Sequence, residues 1–186
     1  MDVFERLSRD LVAKGKIIDY YQDTIKVPNG NIVKWDFIAH KGAAAIVPVT
    51  SEGKILMVRQ YRNALDRETL EIPAGGLDSA DEPPLVCATR ELREETGYTS
   101  TEIEHLLTLR TTVAFCNEKI EIYVAHNLQR GERELDEDEY IDLREMSISE
   151  LEEMIYSGKI EDSKTIAAIL AYKNRYVKQD TEHEIS

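Results

Sequence analysis

An α+β fold of mixed α/β character is predicted by three features of the sequence. Apolar and polar residues alternate over several short segments, the period of a half-buried strand. A few other segments carry helical spacing together with start and stop residues. The two kinds of element are mixed without strict alternation, which argues against a doubly wound parallel sheet. With 186 residues, 42% of them hydrophobic, the chain has enough apolar material for one good core and a small appended piece.

Residues 2–13 read as a short helix. KIIDYYQDTIKV and NIVKWDFIAH then read as two strands around the turn Pro28-Asn29-Gly30-Asn31, giving an N-terminal β-hairpin region. AAAIVPVT, KILMVRQY and TLEIP follow as short strands, and Ser51-Glu52-Gly53 between the first two is a turn that suits a hairpin. Gly75-Gly76 opens a polar loop that ends at Pro83-Pro84. Proline fits the first turn of a helix because its missing N–H would have no partner there. Gly97 stops this helix.

TEIEHLLTLRTT, KIEIYVAH and YIDLREM read as further strands. Ser147 and Glu150 have capping-box spacing, which starts a helix to about Tyr156 that ends at Gly158. Asp162 or Ser163 caps a last helix, on which Ile166, Ile169, Leu170 and Tyr172 form a packing surface. The division expected is 1–41 for the N-terminal helix and hairpin, 42–178 for the main domain and 179–186 for a frayed tail.

The formal charge of −13 argues against nonspecific nucleic-acid binding, which needs a basic footprint. No apolar run is long enough to span a bilayer, and MDVFERLSRD is acidic where a signal peptide would be basic and then apolar. The expectation is a soluble, cytoplasmic protein with no membrane partner. Cys87 and Cys116 make no CxxC pair, and His40, His105, His126 and His183 show no metal-ligand spacing.

Against that acidic background, GLDSADEPPLVCATRELREETGY places Glu91, Glu94 and Glu95 close together. On a helix they fall within one arc roughly 100° wide, with Leu85, Ala88, Leu92 and Thr96 on the neighbouring face. Arg90 stands four residues before Glu94, in reach of its carboxylate. Each like-charge pair at i,i+4 costs about 0.2–0.5 kcal/mol. Carboxylates without lysine partners make a hard oxygen site suited to Mg²⁺ or Mn²⁺, to which Glu82 could add an oxygen. Taken alone, RELREE is most often a solvated face; the spacing around it is what separates the two readings.

From Gly76, five residues lead to Glu82 and seven more to Arg90-Glu91; Leu92, Arg93, Glu94-Glu95, Thr96, Gly97 and Tyr98 complete the run. This resembles the signature box of the Nudix hydrolase family at every charged and glycine position, with Tyr98 where an aliphatic residue is usual. The resemblance implies an α/β/α sandwich that binds divalent cations and hydrolyses a nucleoside diphosphate linked to another moiety. Arg59-Gln60-Tyr61-Arg62, Glu71-Ile72-Pro73-Ala74-Gly75 and Asp162-Ser163-Lys164-Thr165 look like the family's ADP-ribose pyrophosphatase branch. In that branch the box is usually counted from the glycine of Pro-Ala-Gly, here Gly75, whereas the count works only from Gly76, so the loop carries one extra residue.

What the resemblance implies for residues is as follows. Glu91 and Glu95 map onto metal ligands, and Glu94 onto a third ligand or a residue orienting one, with Arg90 beside it in the catalytic group. A main-chain carbonyl for the metal could belong to Ala74 or Gly75. The base or a further ligand falls on Glu137 or Glu139, in an acidic loop that is otherwise merely solvated, and Glu118 is a second candidate. Arg59 and Arg62 are plausible phosphate clamps, although one could instead pair with an acid on the sheet. Trp35 matches a position that stacks on adenine in some members, with Asp36 placed to accept from its amino group; Trp35 could equally be packed. The branch implies a homodimer, Mg²⁺ (or Mn²⁺) as cofactor, and ADP-ribose or another nucleoside diphosphate sugar as substrate. A fold of this family that senses ADP-ribose without cleaving it is the alternative of a different class.

Overall fold

The computed structural model describes residues 3–135 and 140–177. In chain order its elements begin with strands β1 (Glu5–Lys14), β2 (Asp19–Lys26), β3 (Ile32–Ala39), β4 (Ala43–Pro48), β5 (Ile55–Arg62), β6 (Arg67–Glu71) and β7 (Ala74–Gly76). Helix α1 (Pro84–Thr96) follows, then β8 (Tyr98–Thr99), β9 (Glu102–Arg110), β10 (Lys119–His126), β11 (Gln129–Arg130) and β12 (Asp142–Met146). Helices α2 (Ile148–Tyr156) and α3 (Ser163–Tyr176) complete the described part. Glu137, Glu139 and the expected tail over 179–186 lie outside the described residues.

β4 is the centre of the molecule. It pairs parallel with β10 and antiparallel with the short β7, in a sheet of order β7-β4-β10-β9. A strand covered on both faces must be apolar throughout, and AAAIVP is. Alternate residues point to opposite faces: Ala44 and Ile46 pack with Cys87, Ala88 and Leu92 of α1, while Ala45 and Val47 join the other core. That second core contains Ile55, Met57 and Ile72, Ile122 and Val124 of β10, Leu151 of α2, and Ala168, Ile169 and Tyr172 of α3. Each fully buried aliphatic side chain there contributes about 1.5–3 kcal/mol. The result is α1 on one face of the central sheet and α2 with α3 on the other, the α/β/α arrangement that the family resemblance implies.

Helix boundaries follow local chemistry. α1 begins at Pro84, with Pro83 as its N-cap, and ends at Gly97, whose φ of 76° no residue with a Cβ adopts cheaply. α2 has the capping box, Ser147 accepting from the Glu150 N–H while the Glu150 carboxylate accepts from the Ser147 N–H. α3 is capped by Asp162, which accepts from the Thr165 N–H. Leu85, expected on the packing face of α1, is exposed instead, and Cys87 is buried in its place.

Two expectations are corrected. Residues 5–14 form a strand rather than part of a helix. Phe4, Leu7 and Leu11 do have helical spacing, but they stay about half exposed or more, so no packing against the body rewards a helical stripe. Paired along β2, the segment gains a ladder from Glu5 to Lys14, interrupted by two register shifts, and the cross-strand Arg9–Asp23 pair, whose two hydrogen bonds are 2.7 and 2.6 Å. Second, β4 and β5 make no hairpin: Ser51-Glu52-Gly53 is a turn, yet the strands meet only at the bridge between Val49 and Ile55 and then diverge into different sheets. β5 lies between β12 and β6.

The three-stranded sheet β1-β2-β3 is stitched to the body through β3. Ile38 donates to the Phe115 carbonyl at 2.7 Å and accepts from the Asn117 N–H at 3.2 Å. Its own surface is poorly covered: Phe4, Leu7, Leu11, Ile32 and Trp35 are each about half exposed or more.

Candidate active site

The site grows from one helix and one short strand. Buried Ala88 and Leu92 seat α1 on β4, and this turns the following arc of the helix, with Glu91 and Glu95, toward β7. Glu95 accepts a hydrogen bond from the Ala74 N–H at 3.0 Å. Glu91 lies directly against Gly75: a Cβ built on Gly75 would stand 1.9 Å from the nearer Glu91 oxygen. Both carboxylates are largely shielded from solvent, Glu91 at 7% exposure and Glu95 at 3%. Charged groups at such depth need compensation.

Arg90 supplies part of it. Its guanidinium donates to Glu91 at 2.7 Å, to Glu94 at 3.2 Å and to the Gly76 carbonyl at 3.3 Å, and it lies 3.5 Å from Glu82. Burial works to lower the pKa of this guanidinium, but the surrounding carboxylates, Glu91 foremost, raise it on balance. Glu82 in turn accepts from the Asp78 N–H at 2.6 Å, which closes the loop before α1. Burial, with help from the Glu91 charge, pushes the Cys87 thiol up to about 12. It therefore stays neutral and donates weakly to the Gly75 and Gly76 carbonyls at 3.6 and 3.5 Å.

Ala74, Gly75 and Gly76 form one wall of a cavity of about 770 Å³. His40, Thr111 and Glu118 line it on one side; Arg62, Glu71, Asp162 and Lys164 line it on another. Glu118 accepts from the Thr111 hydroxyl at 2.7 Å, and the His40 ring lies 3.6 Å from it. Of the two arginines expected to meet substrate, Arg62 lines this cavity but gives its fork to Glu71 in two hydrogen bonds of 2.8 and 2.7 Å. Arg59 points elsewhere, toward Glu68 and Asp142 at 3.5 and 3.2 Å. Trp35 and Asp36 line a separate cleft of about 560 Å³ with Tyr20, Ile38, Ala114 and Phe115. There Tyr20 donates to Asp36 at 2.7 Å.

Glu137 and Glu139 are outside the described residues, but the chain just before them is anchored to α1. Arg133 donates to the Glu95 carbonyl at 2.9 Å and to the Ile141 carbonyl at 3.1 Å. Among the described residues, no three His, Cys, Asp or Glu side chains are gathered tightly enough to form a metal site by themselves; Arg90 stands between Glu91 and Glu94. The donor set is nevertheless a hard one, carboxylate oxygens beside main-chain carbonyls, of the kind that suits Mg²⁺ or Mn²⁺. The space that a side chain at position 75 would fill is kept for the Glu91 carboxylate.

Glu71 and Lys164 have no assigned role in the sequence reading beyond the motifs that contain them. A signal was available: a glutamate in the apolar strand TLEIP is a buried charge in need of cations. Glu71 is 2% exposed and is held by Arg62, Lys164 and the Thr69 hydroxyl. Burial pushes its carboxyl up, but Arg62 and Lys164 outweigh burial and bring it from 4.5 down to about 2. Since the folded value lies below the ordinary one, the stability gained is present in full above pH 4.5 and is lost as pH falls through about 2. A shift of that size corresponds to about 3 kcal/mol. Denaturant midpoints between pH 6 and pH 2 should therefore fall more steeply for the native chain than for Glu71→Gln; parallel curves would disprove the linkage.

A family model described as NUDIX domain matches residues 39–169. The ADP-ribose pyrophosphatase of Bacillus subtilis (strain 168) is 38% identical over 165 residues, covering 88% of this chain and 89% of that protein. A methanol dehydrogenase activator of Bacillus methanolicus is 39% identical over 165 residues with the same coverage of each. Among solved structures, one described as an ADP compounds hydrolase superposes with a TM-score of 0.81 at 19% identity, covering 92% of both chains. That likeness speaks to the fold.

Proposed function

This chain belongs to the Nudix hydrolase family, and we propose that it hydrolyses the pyrophosphate bond of ADP-ribose to AMP and ribose 5-phosphate. The observation that carries the reading is the meeting of Glu91 and Glu95 with the Ala74-Gly75 wall of a cavity large enough for a nucleotide sugar.

The residues fit a divalent cation, Mg²⁺ or Mn²⁺. Glu91, Glu95 and Glu94 would hold it, with a carbonyl of Ala74 or Gly75. Bound there, such an ion neutralises pyrophosphate oxygens and makes water a better nucleophile near neutral pH. The chain's own share is positioning, on which phosphoryl-type transfer mainly depends. Arg90 holds Glu91 and Glu94 apart at fixed spacing and ties them to Gly76. The Ala74 N–H fixes one Glu95 oxygen. We assign the proton-accepting role to Glu137 or Glu139, which follow in sequence the Arg133 that is anchored on the Glu95 carbonyl, with Glu118 on the cavity wall as the second candidate. Arg62, which lines the cavity as Arg59 does not, is the better placed of the two for substrate.

The adenine is assigned to Trp35 and Asp36. In one chain these open onto a cleft separate from the diphosphate wall, so we propose that residues 1–41 act as a dimerisation element. The half-exposed apolar side chains of β1 and β3 support it, because so much uncovered apolar surface on one sheet marks an interface. Sedimentation should show a species of twice the chain mass; a monomer at assay concentration removes this part of the reading. The free thiols of Cys87 and Cys116 accord with a reducing, cytoplasmic setting, to be checked by cell fractionation. No helix among the described residues is long and apolar enough to cross a membrane.

The test of function is direct. With Mg²⁺ and ADP-ribose the products should be AMP and ribose 5-phosphate. Faster cleavage of a GDP- or UDP-linked hexose would replace the substrate, and saturable binding of ADP-ribose without turnover would make the protein a sensor.

A further inference from the structure

β7, the strand that meets the box glutamates, is entered through a two-residue crossover. β6 belongs to the sheet β12-β5-β6 and β7 to the central sheet, and only Ile72 and Pro73 lie between them. Such a segment has no ladder of its own to fix it. Pro73 has no N–H to give; its carbonyl accepts from Ile46 at 2.9 Å. The Ile72 N–H, buried with its side chain, finds its acceptor in the Thr165 hydroxyl oxygen at 3.0 Å.

Thr165 is fully buried at the start of α3, and its hydroxyl donates to Asp162 at 2.6 Å. The next residue toward the N-terminus, Lys164, is 9% exposed and sends its ammonium to Glu71 and, at 3.0 Å, to Asp162. Glu71 immediately precedes Ile72 and also takes the Arg62 fork. The first turn of α3 thus holds two consecutive residues, the last of β6 through charge and the first of the crossover through a main-chain N–H. Two and three residues further on, Ala74 donates to Glu95 and Gly75 lies against Glu91.

We propose that Lys164 and Thr165 are positioning residues for the divalent-cation site: by fixing Glu71 and Ile72 they set where Ala74 and Gly75 stand relative to the carboxylates of α1. This rests on the reading of Glu91, Glu94 and Glu95 as cation ligands. Groups that orient ligands from behind typically alter metal affinity or activity by roughly 10–100-fold when removed. A lysine that merely pins a surface helix would lower thermal stability and leave cation affinity unchanged.

The experiment is a titration of the full chain with Mn²⁺, free ion followed by electron paramagnetic resonance, alongside thermal unfolding without metal. Lys164→Met is expected to weaken Mn²⁺ binding roughly ten-fold, and Lys164→Arg, which keeps a cation on Glu71, to recover most of it. Thr165→Val, isosteric but without the hydroxyl, is expected to move affinity in the same direction and decides the matter should Lys164→Met not fold. Undiminished Mn²⁺ affinity in the folded variants, with only the melting temperature lowered, overturns the inference alone. If the native chain itself binds no Mn²⁺, the metal reading beneath it fails as well.

Discussion

Glu95→Gln is expected to lower turnover of ADP-ribose by roughly 10²–10³-fold while leaving the fold in place, the loss of about 3–4 kcal/mol of charge stabilisation in the transition state. The carboxylate does two things at once. One oxygen accepts from the Ala74 N–H at 3.0 Å, and its charge, only 3% exposed, sits in a region where a counter-charge is worth far more than in water. Glutamine keeps an oxygen for the Ala74 N–H and removes the charge, so the structural function survives and the chemical one does not. Exchanging a buried carboxylate oxygen for an amide NH₂ costs about 1–3 kcal/mol, visible as a lower melting temperature with an unchanged circular dichroism spectrum. Steady-state kinetics at saturating Mg²⁺ check the prediction. Equal kcat in the two proteins would remove Glu95 from the site and, with it, the proposal that this helix face works on a diphosphate.

Gly75→Ala is expected to weaken cation affinity by roughly 10–100-fold, whereas Gly76→Ala should stay within the ordinary range of about 0.5 kcal/mol for a substitution that touches nothing. The contrast is steric. A methyl on Gly75 would lie 1.9 and 2.7 Å from the two Glu91 oxygens and 2.2 Å from the carbon between them. Something must move, and the strand is the stiffer partner because β7 is paired to β4. Glu91 would swing out and lose its contact with Arg90, now 2.7 Å. A methyl on Gly76 meets no atom within 4 Å. Calorimetric Mn²⁺ titration of both variants measures the difference; similar affinities would show that the glycine is not there for the carboxylate. The box count starts at Gly76, yet the glycine that needs to be one lies a residue earlier, which is where the additional residue in this loop makes itself felt.

The local part of the site was legible in the sequence. Helical periodicity puts Glu91, Glu94 and Glu95 on one face, and proline at the start with glycine at the end bounds the helix over Pro84–Thr96. The Arg90–Glu94 contact follows from a spacing of four, and the Ser147–Glu150 box from a spacing of three. Each depends on geometry that a few consecutive residues impose on themselves. The N-terminal segment shows the limit of such signals, since Phe4, Leu7 and Leu11 carry a helical stripe and the chain around them selects a strand.

What only the tertiary structure decided are the matches between distant segments. No local rule commits the Arg62 fork to Glu71 rather than to a phosphate, or separates Trp35 and Asp36 from the cavity that contains Arg62. None brings Lys164 to Glu71 and Thr165 to Ile72 across 93 residues of sequence. Composition and period act along the chain, within the few residues that one turn or one pleat relates. A buried charge or an unpaired main-chain N–H is satisfied by whichever group the packing of sheets and helices brings near, and that is determined only once the layers have closed.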